Sequence, residues 1–295
     1  MDLHKLRTFS AVATEGNVTR AARRLATSQP AVSKHVSDLE EALGVLLFDR
    51  LPRGVRLTEA GRILLEHAQR IFAAEGAAEE EIAELKGLLR GRLSIGASTT
   101  IGSYLIPSVF GAFHRRHPDV LLELEIANTA AIQAMVIDHR IDLGLTEGFV
   151  PAEQLDVEVV HYDEMVAIAH AEHPLMGRPR LKIGDLAHFP FICRERGSGT
   201  RDVVEAALAD KGLSFEPVMS LGSTEAVKNA VAAGLGVAFV SRLTVELELS
   251  SGRLAVLQVQ DLSVRRALHM VRLKGRRNSH AAETFIRQLR AALKE

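Results

Sequence analysis

The sequence predicts an α/β chain of several domains, and three observations carry that prediction. Its 295 residues exceed what one ordinary domain holds and suggest two or three. Residues 1–57 read as short helical patterns broken by tight turns, and 58–90 as one long helix without proline. From residue 92 onward, apolar strand-like runs alternate with amphipathic helices, the pattern of parallel sheets covered by helices on both faces.

Composition narrows the class. Hydrophobic residues make up 47% and charged residues 25%, which excludes disorder, collagen-like repeats and a disulfide scaffold. The single cysteine, Cys193, allows no internal disulfide and fits a reducing cytosol. The N-terminus shows no charged segment followed by an apolar core, and no stretch approaches the roughly 20 apolar residues needed to span a bilayer. A cytoplasmic location with no membrane partner is therefore expected. No tryptophan and two tyrosines leave few platforms for stacking single-stranded bases. The net charge of -1 argues at first against a nucleic-acid partner. Partition changes its meaning: residues 1–60 hold nine basic and seven acidic residues, net +2, whereas 61–91 carry -2 and the remainder -1.

In the head, Leu3, Leu6, Phe9, Val12 and Ala13 recur at helical spacing, and this first helix should end near Glu15-Gly16. Asn17 is placed to cap a second helix over Val18 to Ala26, in which Ala21 and Ala22 permit close helix approach. Ser28 caps a third, with Pro30 in its first turn. Val32, Val36, Leu39 and Leu43 should face inward and Gly44 should stop it. That leaves Gln29, Pro30, Ser33, Lys34 and Ser37 outward. These are short polar groups and one cation gathered toward a helix N-terminus, as a major groove requires of a reading helix. A solvated helix surface would look the same in isolation. The hairpin Leu47 to Thr58 adds a basic edge of Arg50, Arg53 and Arg56, suited to the phosphate backbone. Thr58 then caps the long helix, where Leu64, Ala68, Ile71, Glu75, Ala78, Ile82, Leu85 and Leu89 follow the 4-3 spacing of a pairing seam. No flanking segment offers itself as an intramolecular partner, so a homodimer through 59–90 is expected.

In the C-terminal region, strands are read over Arg92 to Ala97, Val120 to Ala127 and Leu143 to Glu147, with helices from about Tyr104 to Arg116 and after Asn128. Ser98, Thr99, Thr100 and Thr129 lie where strand ends meet helix starts, which favours an anionic ligand. The segment after the strand Phe189 to Cys193 repeats this chemistry. Arg194 and Arg201 supply charge, Gly197 and Gly199 allow close backbone approach, and Ser198 and Thr200 add hydroxyls. It is not a Walker loop, because no Gly-Lys-Ser/Thr follows. Ser223-Thr224-Glu225 reads as a helix cap. Cys193 beside this loop is read as a strand-end core residue ahead of a redox sensor. Neither His114/His117 nor His170/His173 has a third ligand at metal spacing, so no metal is expected. Asp163 to Ala169 should carry the chain into a second lobe, with return near Arg265 to Leu268.

The segment Asn17 to Gly44, together with Leu47-Phe48-Asp49-Arg50 and Leu57-Thr58-Glu59-Ala60-Gly61, resembles the LysR-type transcriptional regulators, and the resemblance runs through the C-terminal region. It implies a winged helix-turn-helix domain over 1–58 that binds double-stranded promoter DNA and a dimerising linker helix over 59–90. It also implies a two-lobed effector domain over 91–295, like a periplasmic binding protein. Its lobes would be 91–162 with 267–295, and 163–266. A homotetramer and contact with RNA polymerase follow from the same resemblance. Ser98 to Pro107, Asn128-Thr129 and Gly197 to Arg201 look most like the branch that regulates carbon fixation and sulfur-oxyanion assimilation. That branch implies a small anionic effector and no cofactor: a sulfur oxyanion, a sugar phosphate or a carboxylate. Arg196 stands where the branch often has proline. Two other readings use the same lobes, a solute receptor and an enzyme. The head argues against the first. Against the second, no catalytic constellation stands out, with Glu147 and Glu195 as isolated carboxylates only.

Overall fold

The computed structural model describes residues 2–51, 54–84, 91–151 and 153–293. Two compact units divide at Glu79/Glu80. The head begins with three helices, α1 (Leu3–Glu15), α2 (Val18–Arg24) and α3 (Gln29–Leu43). Their ends are fixed by local chemistry. Asp2 accepts from the His4 N–H at 2.8 Å, Asn17 from Arg20 at 3.0 Å and Ser28 from Ala31 at 3.4 Å. Gly16 and Gly44 close α1 and α3 in the left-handed region. Helix α2 is two residues shorter than its sequence pattern, because Ala26 turns to φ 50° to enter the loop. Leu6, Phe9, Val12, Ala21, Val32 and Leu39 form the fully buried centre of the head. Leu43, expected inside, is 40% exposed, since α3 has outrun the core by that turn.

Strands β1 (Phe48–Leu51) and β2 (Gly54–Leu57) form the antiparallel hairpin. It is tied to α3 by Glu40, whose Oε1 accepts from the Leu47 and Phe48 N–H groups at 2.7 and 3.3 Å. Phe48 packs on Phe9 with ring centroids 5.3 Å apart. Helix α4 (Glu59–Glu84) follows, capped by Thr58, whose hydroxyl accepts from the Gly61 N–H at 3.0 Å. Its seam divides in a way the spacing did not show. Ala68 is fully buried in the head's own core, and Leu64 and Ile71 pack against it. Glu75, which breaks the apolar repeat, pairs with Arg7 at 2.6 Å. The head thus supplies the intramolecular partner that sequence did not reveal, and only Ala78 and Ile82 of the described seam are exposed. Leu85 and Leu89 lie outside the described residues.

The second unit contains β3 (Gly91–Ser98), α5 (Ile106–Arg116), β4 (Val120–Ala127), α6 (Thr129–Ile137), β5 (Leu143–Glu147), β6 (Leu155–His170) and α7 (Ile183–Leu186). It continues with β7 (Phe191–Arg194), α8 (Gly199–Ala209), β8 (Pro217–Leu221), α9 (Thr224–Ala232), β9 (Ala238–Ser241), α10 (Glu246–Ser250), β10 (Leu254–Leu257), β11 (Val264–Leu273) and α11 (His280–Ala292). A π-helical turn over Ile101–Leu105 precedes α5, so helical structure starts earlier than the pattern from Tyr104 suggested.

The sheets are mixed rather than parallel throughout. β3 pairs in parallel with β4 and β5, and β7 with β8, but β6 and β11 run antiparallel to all their neighbours. β6 pairs with β11 from Leu155 to Met165 and with β9 and β10 beyond it. These two strands form the passage between the lobes. One lobe is centred on Leu93, Ile95, Leu145 and Met270, covered by Phe113 and Phe285 in edge-to-face contact at 5.5 Å. The other has two apolar layers, one around Met165, Phe191 and Phe239 and one around Ile168, Ile192 and Val231.

Candidate functional site

Two surfaces collect the residues singled out from sequence. On α3, Gln29, Pro30, Lys34 and Ser37 are exposed and Ser33 is half-buried. Gln29 Nε2 donates to Ser33 Oγ at 3.3 Å, so both face the same side. Lys34 makes no ion pair among the described residues. Asp38, one turn on, is engaged by Lys5 at 2.9 Å, and that hydrogen bond holds the Asp38 carboxyl below its ordinary range. In the hairpin, Arg56 is exposed and sits 3.4 Å from Asp49. Arg53 and the side chain of Arg50 lie outside the described residues.

The second surface is the lobe junction, where strand C-termini and helix N-termini converge. Ser98 ends β3, Thr129 opens α6, Glu147 ends β5, Arg194 ends β7, and Gly199-Thr200 open α8. The two lobes approach at backbone distance. A Cβ on Gly199 would lie 2.0 Å from the Glu147 carbonyl oxygen, and one on Gly148, at φ 83°, 2.8 Å from Gly199 Cα. Only glycine fits at either position. Gly197 O accepts from the Ala130 N–H at 3.2 Å across the same gap. Ser198 is the N-cap of α8 but makes no side-chain cap bond.

The chemistry at this junction is a buried charge network. Thr129 Oγ1 donates to the Glu147 carbonyl at 3.0 Å. Ser98 Oγ donates to Glu147 Oε2, and Thr200 Oγ1 to Glu147 Oε1 at 3.5 Å. Arg266, its side chain fully buried on β11, lies 3.1 Å from Glu147 Oε1 and 2.7 Å from Asp163 Oδ2. It also donates to Thr200 Oγ1 at 2.8 Å. Ser241 Oγ completes Asp163 at 2.9 Å. Beside it, Arg194 holds Glu195 through two bonds of 2.8 and 2.9 Å and donates to Thr224 Oγ1 at 3.0 Å and Thr99 Oγ1 at 3.5 Å. Thr99 belongs to the first lobe and Arg194 to the second, so this cation bridges them. A further bridge joins Tyr104 to Glu225 and Lys228. Lys228 Nζ, almost wholly buried, lies 3.1 Å from Tyr104 Oη, 2.8 Å from Glu225 and 3.0 Å from Glu248. Those partners, against the cost of burial, hold the Lys228 ammonium well above its usual range.

Thus Ser98, Thr99, Thr129, Arg194, Gly199 and Thr200 meet at one junction, with Thr100 and Ser198 buried beside them. Gly197 sits on the facing loop, and Arg196 points to solvent. Sequence reasoning missed Asp163, Arg266, Tyr104 and Lys228. For Arg266 a signal existed: Val264, Arg266, Leu268 and Met270 share one strand face, and an arginine on a buried face needs acidic partners. Ser223 caps α9 as expected, accepting from Ala226 at 3.1 Å. Cys193 is buried, and burial pushes its thiol up, away from the reactive thiolate. Among the described residues no acidic, histidine or cysteine cluster could hold a metal, and no helix is long and apolar enough to cross a membrane.

A helix-turn-helix head followed by a two-lobed α/β unit whose lobe junction gathers helix N-termini is the architecture of a transcriptional regulator with an effector domain. Residues 3–62 match the bacterial regulatory helix-turn-helix proteins of the lysR family, and 86–294 match the LysR substrate binding domain. The chain belongs to the LysR family. It is 38% identical over 287 residues to the RuBisCO operon transcriptional regulator of Allochromatium vinosum, covering 97% of this chain and 94% of that one. It is 33% identical to the HTH-type transcriptional regulator CysL of Bacillus subtilis (strain 168) over 286 residues, 97% and 96% of the two chains. Among solved structures it is similar to the regulatory domain of CcmR from Synechocystis PCC6803 in complex with 2-PG. That match has a TM-score of 0.65 and 30% identity, over 70% of this chain and 99% of that one. The relatives are regulators, and this chain is a LysR-type transcriptional regulator with an effector-binding domain, not an enzyme.

Two outcomes follow from the junction. Arg266→Met leaves two buried carboxylates without their cation. It should destabilise the C-terminal unit by about 3–5 kcal/mol in urea unfolding. His269 on β11 is held below its ordinary range by burial, with Glu147 pulling the other way. A group whose folded pKa is depressed contributes stability above its unfolded value, near 6.5, and loses it as pH falls. Thermal stability should therefore drop as pH is lowered through 6.5, and less steeply in His269→Gln. His173, also lowered by burial, keeps part of the slope.

Proposed function

We propose that this regulator reads promoter DNA with α3 and senses a small anionic metabolite at the lobe junction. The single observation that carries the effector reading is the convergence at one place of Ser98, Thr129 and Thr200 at strand ends and helix starts, with Arg194 beside them. N–H groups and hydroxyls at helix starts favour negative charge. We read 1–58 as the DNA-binding head, 59–90 as the linker through which a homodimer forms, and 91–295 as the sensor. The working form is a homotetramer in the cytoplasm, acting on double-stranded promoter DNA with RNA polymerase as its downstream contact. The effector classes are a sulfur oxyanion, a sugar phosphate and a carboxylate. CcmR's complex with 2-PG supports a phosphorylated acid as the first to test.

Closing or opening the junction changes the lobe geometry, and a ligand shifts that equilibrium only by its differential affinity for the two forms. Effector binding is thereby linked to the spacing or bend that the assembled heads impose on DNA.

A thermal-shift screen of 2-phosphoglycolate, phosphoenolpyruvate, sugar phosphates, sulfite, sulfate, thiosulfate and dicarboxylates tests the effector. A ligand at 100 times its dissociation constant stabilises by about 2.7 kcal/mol. Thr100→Ala and Thr200→Ala should abolish the response while DNA binding persists, and unchanged titrations in both place the pocket elsewhere. For DNA, Lys34→Ala or Arg53→Ala should weaken binding to the upstream duplex and flatten the salt dependence by about one unit of log–log slope. Wild-type affinity in both variants removes α3 and the hairpin from the contact surface.

A further inference from the structure

Two of the hydroxyls expected to hold an anion, those of Ser98 and Thr200, already hold one, and it belongs to the chain. Glu147 is 2% exposed. Its carboxylate takes a hydroxyl from each lobe, Ser98 from the first and Thr200 from the second, and lies 3.1 Å from the Arg266 guanidinium on the crossing strand. Thr200 is the second residue of α8, so the positive end of that helix faces the same carboxylate. Two hydroxyls, a guanidinium and a helix N-terminus make a complete acid-binding set.

Charge makes this occupant replaceable. Arg266 is shared by two buried carboxylates, and Asp163 has the better hold on it. It accepts from Arg266 Nε at 2.8 Å, pairs with Nη2 at 2.7 Å and is completed by Ser241. Glu147 meets one guanidinium nitrogen, at 3.1 Å, with a Thr200 contact of 3.5 Å. One cation between two carboxylates leaves an excess negative charge in a dry site, where burial is expensive. An additional acid cannot join this set without a second uncompensated charge, so an incoming acid must exchange for Glu147.

We infer that Ser98, Thr200 and Arg266 form a subsite for one ligand carboxylate, and that the Glu147 side chain occupies it in the effector's absence as an internal competitor. This rests on the anionic-effector reading and deepens it. An effector engages the junction by placing an acid group of carboxylate size where Glu147 now sits, and Glu147 turns out as it binds.

The test uses the full chain and small acids, independent of any effector. In Glu147→Ala the subsite is vacated, and sodium formate or acetate, titrated against sodium chloride at constant ionic strength, should raise the unfolding temperature in a saturating manner. Wild type should not respond, and Glu147→Ala/Ser98→Ala should lose the response. If Glu147→Ala unfolds in chloride, formate should restore its cooperative transition. Glu147→Gln keeps the shape and removes the charge, and it should bind formate at least about tenfold more tightly than wild type. Absence of a formate response in Glu147→Ala, an equal response in wild type, or formate binding unchanged in Glu147→Gln overturns the inference. A negative effector screen with a positive formate response overturns the assigned effector classes instead, and leaves the subsite standing.

Discussion

One guanidinium organises the C-terminal unit. Arg266 lies on β11 with its side chain wholly out of water and meets Glu147 from one lobe and Asp163 on the other crossing strand. Taking such groups out of water costs several kcal/mol for each ion, and the cost is offset only while they stay together with their hydrogen bonds satisfied. The positions of β5, α8 and the two crossing strands are therefore not independent. The backbone contact between Glu147 and Gly199, which tolerates no side chain, is the steric counterpart of this electrostatic tie. Everything at the junction, from the hydroxyl of Ser98 to the bridge between Arg194 and Thr99, is arranged around that fixed point.

The head obeys a different economy. It has a small core, and α4 contributes to it through Ala68, Leu64 and Ile71. The same helix face that reads as a pairing seam is thus partly consumed at home. Its charges are also spent locally: Lys5 on Asp38, Arg7 on Glu75, Arg24 on Glu15 and Arg56 on Asp49. The net +2 of residues 1–60 is distributed as neutralised pairs plus a few outward cations, of which Lys34 is the one on α3. Phosphate attraction scales with the number of cations brought to the duplex. A single head brings few, and joining heads multiplies them.

Much of this was legible in the sequence, for identifiable reasons. Helix ends in the head were marked by Asn17, Ser28, Thr58, Gly16 and Gly44, whose side chains or backbone freedom act within a few residues. The strands of the first lobe followed from apolar runs, and the junction residues from their place at strand ends. What sequence concealed depends on contacts distant along the chain. The antiparallel passage of β6 and β11 joins residues about a hundred apart. Glu147 looked isolated because its partners, Ser98, Thr200 and Arg266, are scattered across the chain. Leu43 kept the periodicity of a core position although the core ends before it, since periodicity reports direction and not how far the neighbour extends.

The two crossing strands are hydrogen-bonded to each other over ten residue pairs, from Val264 with Met165 to Leu273 with Leu155, with one irregularity beside Leu268. A connection of this kind behaves mechanically as a leaf spring rather than a swivel. Two loose chains would let the lobes wander through many orientations. A paired ribbon ties the two segments to each other along its length, with one register shift beside Leu268. The lobes are thereby coupled through one paired ribbon and not through two independent tethers.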